Sequence, residues 1–165
     1  MLTPAGIVRR IDDLGRIVVP KEIRRTLHIR EGDPLEIFTD REGQIILKKY
    51  SPIGELGTIA RQYAQSLAQT MRCTVCITDT DQVVAAAGSG KESLQDTYID
   101  PELESFMKER RVMTTEKQIV CPILCQGDVI GCVLFTSNDE KKPLGDLEEK
   151  MAVAAAGFLG SQMES

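Results

Sequence analysis

Arg9, Arg10, Arg16, Lys21, Arg24 and Arg25 all fall in the run GIVRRIDDLGRIVVPKEIRRTL, Gly6 to Leu27, of a 165-residue chain whose formal net charge is −5. A guanidinium offers parallel N–H donors that grip a phosphate, or the acceptor edge of guanine, with two bonds at once. The chemistry on offer is the binding of a polyanion. Residues 1–30 hold seven cations against Asp12, Asp13 and Glu22, a local charge of +4, so the remainder carries −9. The chain is basic at one end and acidic over the rest. No aromatic residue precedes Phe38, which removes the stacking platform a single strand needs and favours duplex DNA.

These cations must be placed by local structure. Residues 7–12 and 16–19 are β-prone runs joined at Asp13-Leu14-Gly15, where Gly15 can take positive φ. Pro20 ends the second run and suits the first position of a helix. A helix over 21–28 sets Lys21, Arg24, Arg25 and His28 at i, i+3, i+4 and i+7 on one face, with Ile23 and Leu27 on the other. A charged stripe alone is more often a solvated face. The cations on the neighbouring runs are what point to a binding surface. A turn at 31–34 leads into LEIFTDREGQIILKK, two alternating strands about Asp40–Gly43, so the expected order is β-β-α-β-β.

About fifty residues with few large side chains bury little surface. Ile7, Ile11, Ile17, Val19, Leu27, Leu35, Ile37, Ile45 and Leu47 need more apolar partners than one chain supplies, which implies an obligate, intertwined homodimer. A two-fold copy doubles the six cations.

Ser51-Pro52 breaks the pattern. Over 53–71, Ile53, Leu56, Ala60, Tyr63, Leu67 and Thr70/Met71 recur at steps of three and four, reading as a connecting helix that also dimerises. From Cys73 the periodicity turns to strands, with CTVCITDTDQVVAAAG folding about Asp79–Asp81. A helix over 101–111 follows, then IVCPILCQGDVIGCVLFTS as a hairpin turning at Gln126-Gly127-Asp128. A closing helix over 144–163 repeats Leu147, Met151, Ala154 and Phe158. The expected domains are 1–51, a helix over 52–71, and an α+β module over 72–165.

Other chemistries have little to stand on. His28 is the single histidine and lies among arginines, so no Ser/His/Asp constellation can be assembled and no enzyme is expected. Cys73-x-x-Cys76, Cys121-x-x-x-Cys125 and Cys132 outline a zinc or redox site on paper. Residues three apart on a strand face opposite sides, however, and a buried free cysteine behaves as a small hydrophobe. Core packing is the favoured reading, with no metal and no cofactor. Ser89-Gly90-Lys91 lacks the glycine spacing of a phosphate loop and reads as plain loop. Asp79/Asp81 and Glu148/Glu149 fit a turn and a helix surface. No apolar run is long enough to span a membrane. With no signal peptide and an odd number of cysteines, a reducing cytoplasm is expected.

GIVRRIDDLGRIVVPKEIRRTLHIREGDPLEIF, continued through DREGQIILKKYSPIGELG, resembles the swapped-hairpin DNA-binding domain of the AbrB transition-state regulators. Pro4, between Thr3 and the Ala5-Gly6 pair, departs from that pattern. The resemblance implies a swapped-hairpin β-barrel formed by an intertwined dimer, with Arg9, Arg16, Arg24 and Arg25 as the DNA-contacting set. Arg10 and Lys21 join them on geometry alone. CPILCQGDVIGCVLF resembles the central hairpin of GAF domains, which implies a pocket for an unidentified small-molecule effector. The branch of the family that joins these two domains is associated with endospore development and with a homotetramer. The combined expectation is a nucleoid-associated regulator of sporulation genes, activator or repressor. Two alternatives are an antitoxin-like module, since the swapped-hairpin fold also serves toxin neutralisation, and a thiol- or metal-responsive regulator. The folded, apolar C-terminal half argues against a disordered toxin-binding tail.

Overall fold

The computed structural model describes residues 6–139 and 141–164, so Thr3, Pro4 and Ala5 lie outside the described residues. The chain packs as two compact units that divide between Tyr50 and Ser51.

In the first unit, the hairpin turn forms where expected. Asp12 N–H donates to the Arg16 carbonyl at 3.0 Å and Gly15 N–H to the Asp12 carbonyl at 3.1 Å. Gly15 takes φ +77, where a side chain would be strained. The flanking runs do not become strands: residues 6–12 and 16–20 carry no ladder within the chain. A lone two-stranded hairpin is marginal in water, and Val8, Ile11, Ile17 and Val18 stay exposed. The expected β-β-α-β-β order is thus realised as an extended hairpin, helix α1 (Lys21–Thr26), strand β1 (Leu35–Thr39) and strand β2 (Ile45–Lys49).

Two local expectations need correction. Pro20 stands one position before the helix as its N-cap, with ψ 148, and its carbonyl accepts the Arg24 N–H at 3.0 Å. The helix also stops at Thr26. His28 adopts left-handed φ +56, with Ile29 N–H on the Arg24 carbonyl at 2.8 Å, a Schellman-type ending built on histidine in place of glycine. His28 is therefore a stop signal and not a fourth member of the cationic face.

Strands β1 and β2 are antiparallel, Leu35 opposite Lys49 and Thr39 opposite Ile45. Asp40 builds their turn, its Oδ1 accepting the N–H of Glu42 at 3.0 Å and of Gln44 at 2.9 Å.

The second unit begins with Ser51, whose Oγ caps helix α2 (Pro52–Glu55) by accepting the Gly54 N–H at 2.9 Å. The same hydroxyl donates to Asp79 Oδ2 at 2.8 Å. A break at Leu56 separates α2 from helix α3 (Gly57–Met71). There follow β3 (Thr74–Thr78), β4 (Val83–Ala87), a short 3-10 turn, α4 (Pro101–Lys108), β5 (Met113–Thr114), β6 (Gln118–Cys125), β7 (Asp128–Thr136) and α5 (Asp146–Gln162). The five strands make one antiparallel sheet in the order β4-β3-β7-β6-β5.

Alternation divides the core. Val75 and Ile77 point to the face covered by α3 and α5, where they meet Ala60, Ala64, Leu67, Phe135, Ala155 and Leu159. Cys76 points to the opposite face, which α4 covers through Leu103 and Met107 over Val120 and Cys132. Gly131 lets β7 meet β3, since a Cβ there would collide with the Thr78 carbonyl.

The segment over 52–71, read from periodicity as a connecting helix, packs here against β3 and β4 as part of the second unit. The stripe expected on the last helix is also displaced. Ala152, Ala155, Ala156, Leu159 and Gly160 are its buried residues, while Leu147 is 69% exposed and Phe158 40%. The expected helix over 101–111 ends early, at Lys108, with Arg110 at φ +58 beyond it.

Candidate nucleic-acid interface

Arg9, Arg10, Arg16, Lys21, Arg24 and Arg25 are all exposed. Arg9 and Arg10 lie on the first limb of the hairpin, Arg16 just beyond its tip, and Lys21, Arg24 and Arg25 along one side of α1. The structure thus retains three of the four positions expected on the helical face. Arg24 and Arg25, in the last turn, also suit the negative end of the helix dipole.

Asp12 organises the hairpin tip. Its Oδ1 accepts the N–H of Leu14 at 3.0 Å and of Arg16 at 2.8 Å, and its Oδ2 takes the Arg16 Nε–H at 2.8 Å. The Arg16 backbone N–H first, then the Arg16 guanidinium and the Leu14 N–H, hold the Asp12 carboxyl below the usual carboxylate range. In the sequence, Asp12 counts only as a subtraction from the local charge. Its place three residues before Gly15, at the mouth of a turn, is the signal that could have found it.

Arg24 is tied differently, its Nε donating to the Val19 carbonyl at 3.1 Å. Lys49, by contrast, is committed to internal structure: its Nζ donates to the His28 carbonyl at 2.7 Å and lies 3.4 Å from Asp33.

The second unit offers different chemistry. Cys73, Cys76, Cys121 and Cys132 are buried and Cys125 is half-buried. Burial pushes the first three thiols up to about 11, and Cys132, within 3.3 Å of Thr78 Oγ1, to about 12. Such thiols stay protonated and unreactive near neutrality. Among the described residues, no group of three or more His, Cys, Asp or Glu is placed to hold a metal. Asp79 is a turn builder, Oδ1 accepting the N–H of Asp81 and of Gln82 at 2.7 Å. Glu148 reaches back to the Gly145 N–H at 3.0 Å at the start of α5. An open cleft of about 250 Å³ lies beside α5, floored by Cys121, Pro122, Val153 and Gly157 and edged by Arg110 and Arg111. Among the described residues, no helix is long and apolar enough to cross a membrane.

Comparison with known proteins follows the same division. The family described as "Stage V sporulation protein T C-terminal, transcription factor" matches residues 55–164, and the one described as "Antidote-toxin recognition MazE, bacterial antitoxin" matches residues 8–55. Stage V sporulation protein T of Bacillus subtilis (strain 168) is 47% identical over 175 residues, spanning 96% of this chain and 97% of that protein. The transition state regulatory protein AbrB of the same organism is 64% identical over 47 residues, 28% of this chain and 48% of its own length. The PixJ GAF domain of Thermosynechococcus elongatus superposes with a TM-score of 0.58 at 15% identity, over 70% of this chain and 89% of that one, which identifies the GAF fold of the second unit. A relative alike over 96% of the chain, together with a family match over residues 55–164, makes the assignment: the chain belongs to the stage V sporulation protein T family of transcription factors.

Proposed function

We propose that this sporulation transcription regulator binds duplex DNA as an intertwined homodimer, through Arg9, Arg10, Arg16, Lys21, Arg24 and Arg25 of each chain. The observation that carries the reading is the pairing of six exposed cations with a hairpin and helix that hide almost nothing: among the described residues of 6–50, Pro20 alone is buried. A second copy supplies the missing apolar cover and doubles the charge. Residues 1–51 act as the DNA-binding domain, 52–71 as the helical start of the second unit, and 72–165 as the GAF-like body. Cytoplasmic placement on the nucleoid follows from the DNA role, and no catalytic step is assigned.

The second unit assembles the oligomer or senses a small effector. Leu147, Val153 and Phe158 are exposed on the outer side of α5, and the Phe158 ring lies 5.4 Å from that of Tyr63. Exposed apolar side chains on this helix support pairing of two such units and hence a homotetramer. Mass spectrometry of small molecules co-purified with the protein tests the sensing role.

The antitoxin-type match over residues 8–55 favours a second reading, toxin neutralisation by the first unit. The packed unit that follows stands where a toxin-binding tail would be free to fold on its target, which weighs against it.

The decisive experiment replaces Arg9, Arg16, Arg24 and Arg25 by alanine together. Binding to duplex DNA should be lost while the thermal transition stays in place. Each single replacement of a phosphate contact should lower the salt slope by about one unit. Unchanged binding by the quadruple variant would overturn the assignment.

A further inference from the structure

Two of the six cations differ from the others in how their guanidinium groups are held. Arg16 Nε donates to Asp12 Oδ2 at 2.8 Å, and Arg24 Nε donates to the Val19 carbonyl at 3.1 Å. Each bond spends the Nε–H and leaves the two terminal nitrogens to act as a fork. The acceptors are fixed in turn. Asp12 is locked into the hairpin turn by the N–H groups of Leu14 and Arg16, and Val19 directly precedes the buried Pro20. Arg9, Arg10, Lys21 and Arg25 make no such side-chain bond among the described residues.

This difference bears on recognition. A phosphate carries no sequence information and is satisfied by any nearby cation, whereas a base edge rewards a fork held in one direction. An arginine already oriented also loses less rotamer freedom on binding than one that swings. We propose that Arg16 and Arg24 are the specificity-determining pair of this interface, with Asp12 as the positioning residue of Arg16, while Arg9, Arg10, Lys21 and Arg25 supply sequence-independent attraction to phosphates. The inference rests on the duplex-DNA reading above.

The test compares affinity, over a salt series, for a duplex enriched by the wild-type protein from a randomised pool and for a mixed-sequence competitor duplex. Arg16→Lys and Arg24→Lys keep the charge and lose the fork. Each should weaken binding to the enriched duplex more than to the competitor, lowering the enriched-to-competitor ratio by about tenfold or more. Arg25→Lys should affect both duplexes alike and so leave the ratio in place. Asp12→Asn keeps an acceptor for the turn and removes the anion. Electrostatics alone would then tighten binding to both duplexes equally, whereas a positioning role lowers the ratio while competitor binding holds or rises. An unaltered ratio in Asp12→Asn, or an Arg25→Lys loss as large as that of Arg16→Lys, overturns the proposal with the DNA reading intact. Absence of salt-sensitive binding by the wild type overturns both.

Discussion

The two units solve the problem of burial in opposite ways. The second closes its core within one chain: Phe135, Ile77, Ile119, Val133 and Leu159 are fully buried between a five-stranded sheet and its helices. The first leaves Val8, Ile11, Leu14, Ile17, Val18, Ile37 and Ile45 in solvent, each more than half exposed. Both are rich in β-branched and aliphatic residues, so composition is not what separates them. The second unit has long-range partners for its strands; the first has hydrogen-bonding edges and apolar side chains that a lone chain cannot use. One unit closes its own core, and the other leaves its apolar side chains uncovered within the single chain.

The largest effect should come from Phe135→Ala, which empties a fully buried site and should cost about 3–5 kcal/mol in urea unfolding of the second unit. Ile17→Ala is the matching change in the first unit, where the side chain is 56% exposed in the single chain. If a second copy covers it, the loss should reach about 2–5 kcal/mol and deepen on dilution. A loss within about 0.5 kcal/mol, as for an ordinary surface site, would break the comparison. A fragment ending at Tyr50 should sediment as a dimer and retain weakened DNA binding; a folded monomer would break it equally.

Smaller effects sharpen the contrast through pH. Thiols of the unfolded chain ionise near 9.0, while burial raises Cys73, Cys76 and Cys121 to about 11 and Cys132 to about 12. A raised folded-state value means stability that is complete below the unfolded value and is lost as pH rises through the folded one. The second unit should therefore unfold at lower urea at about pH 10 than at neutrality, and the first should not share that loss, since all five cysteines lie beyond Tyr50. Asp12 has the opposite sign. Its lowered folded-state value adds stability that is present above the unfolded carboxylate range and is lost as pH falls toward the folded value. Asp12→Asn should remove that small acid dependence from the first unit.

Much of this was legible from residue patterns. The three later hairpins turn where Asp40–Gly43, Asp79–Asp81 and Gln126–Asp128 indicate, because Asp and Gly impose local geometry that tertiary packing rarely overrides. The cationic run was legible because charge needs no partner to be counted. What escaped depended on context. His28 gave no hint that it would take the left-handed position usually left to glycine. The stripe on the last helix was misplaced because alanine and glycine, which let a helix approach a sheet closely, weigh little in a hydrophobic pattern beside Leu147 and Phe158. The ladder expected over residues 7–19 is absent because strand pairing belongs to a sheet and not to a segment. Asp12 was missed because a carboxylate among arginines looks like a subtraction.

Helix α5 carries much of its bulk on the outside, at Leu147, Val153 and Phe158. Its inward side sets Leu159 among alanines, and at Gly160 it lies so close to β6 that a Cβ would strike the Leu124 carbonyl, so no larger side chain fits at that one position without moving the strand. Side-chain size can change with less strain at exposed positions such as Leu147, Val153 and Phe158. Any partner that meets this helix meets those same positions. A substitution at those positions would then alter what the helix presents to a partner while the unit beneath folds as before.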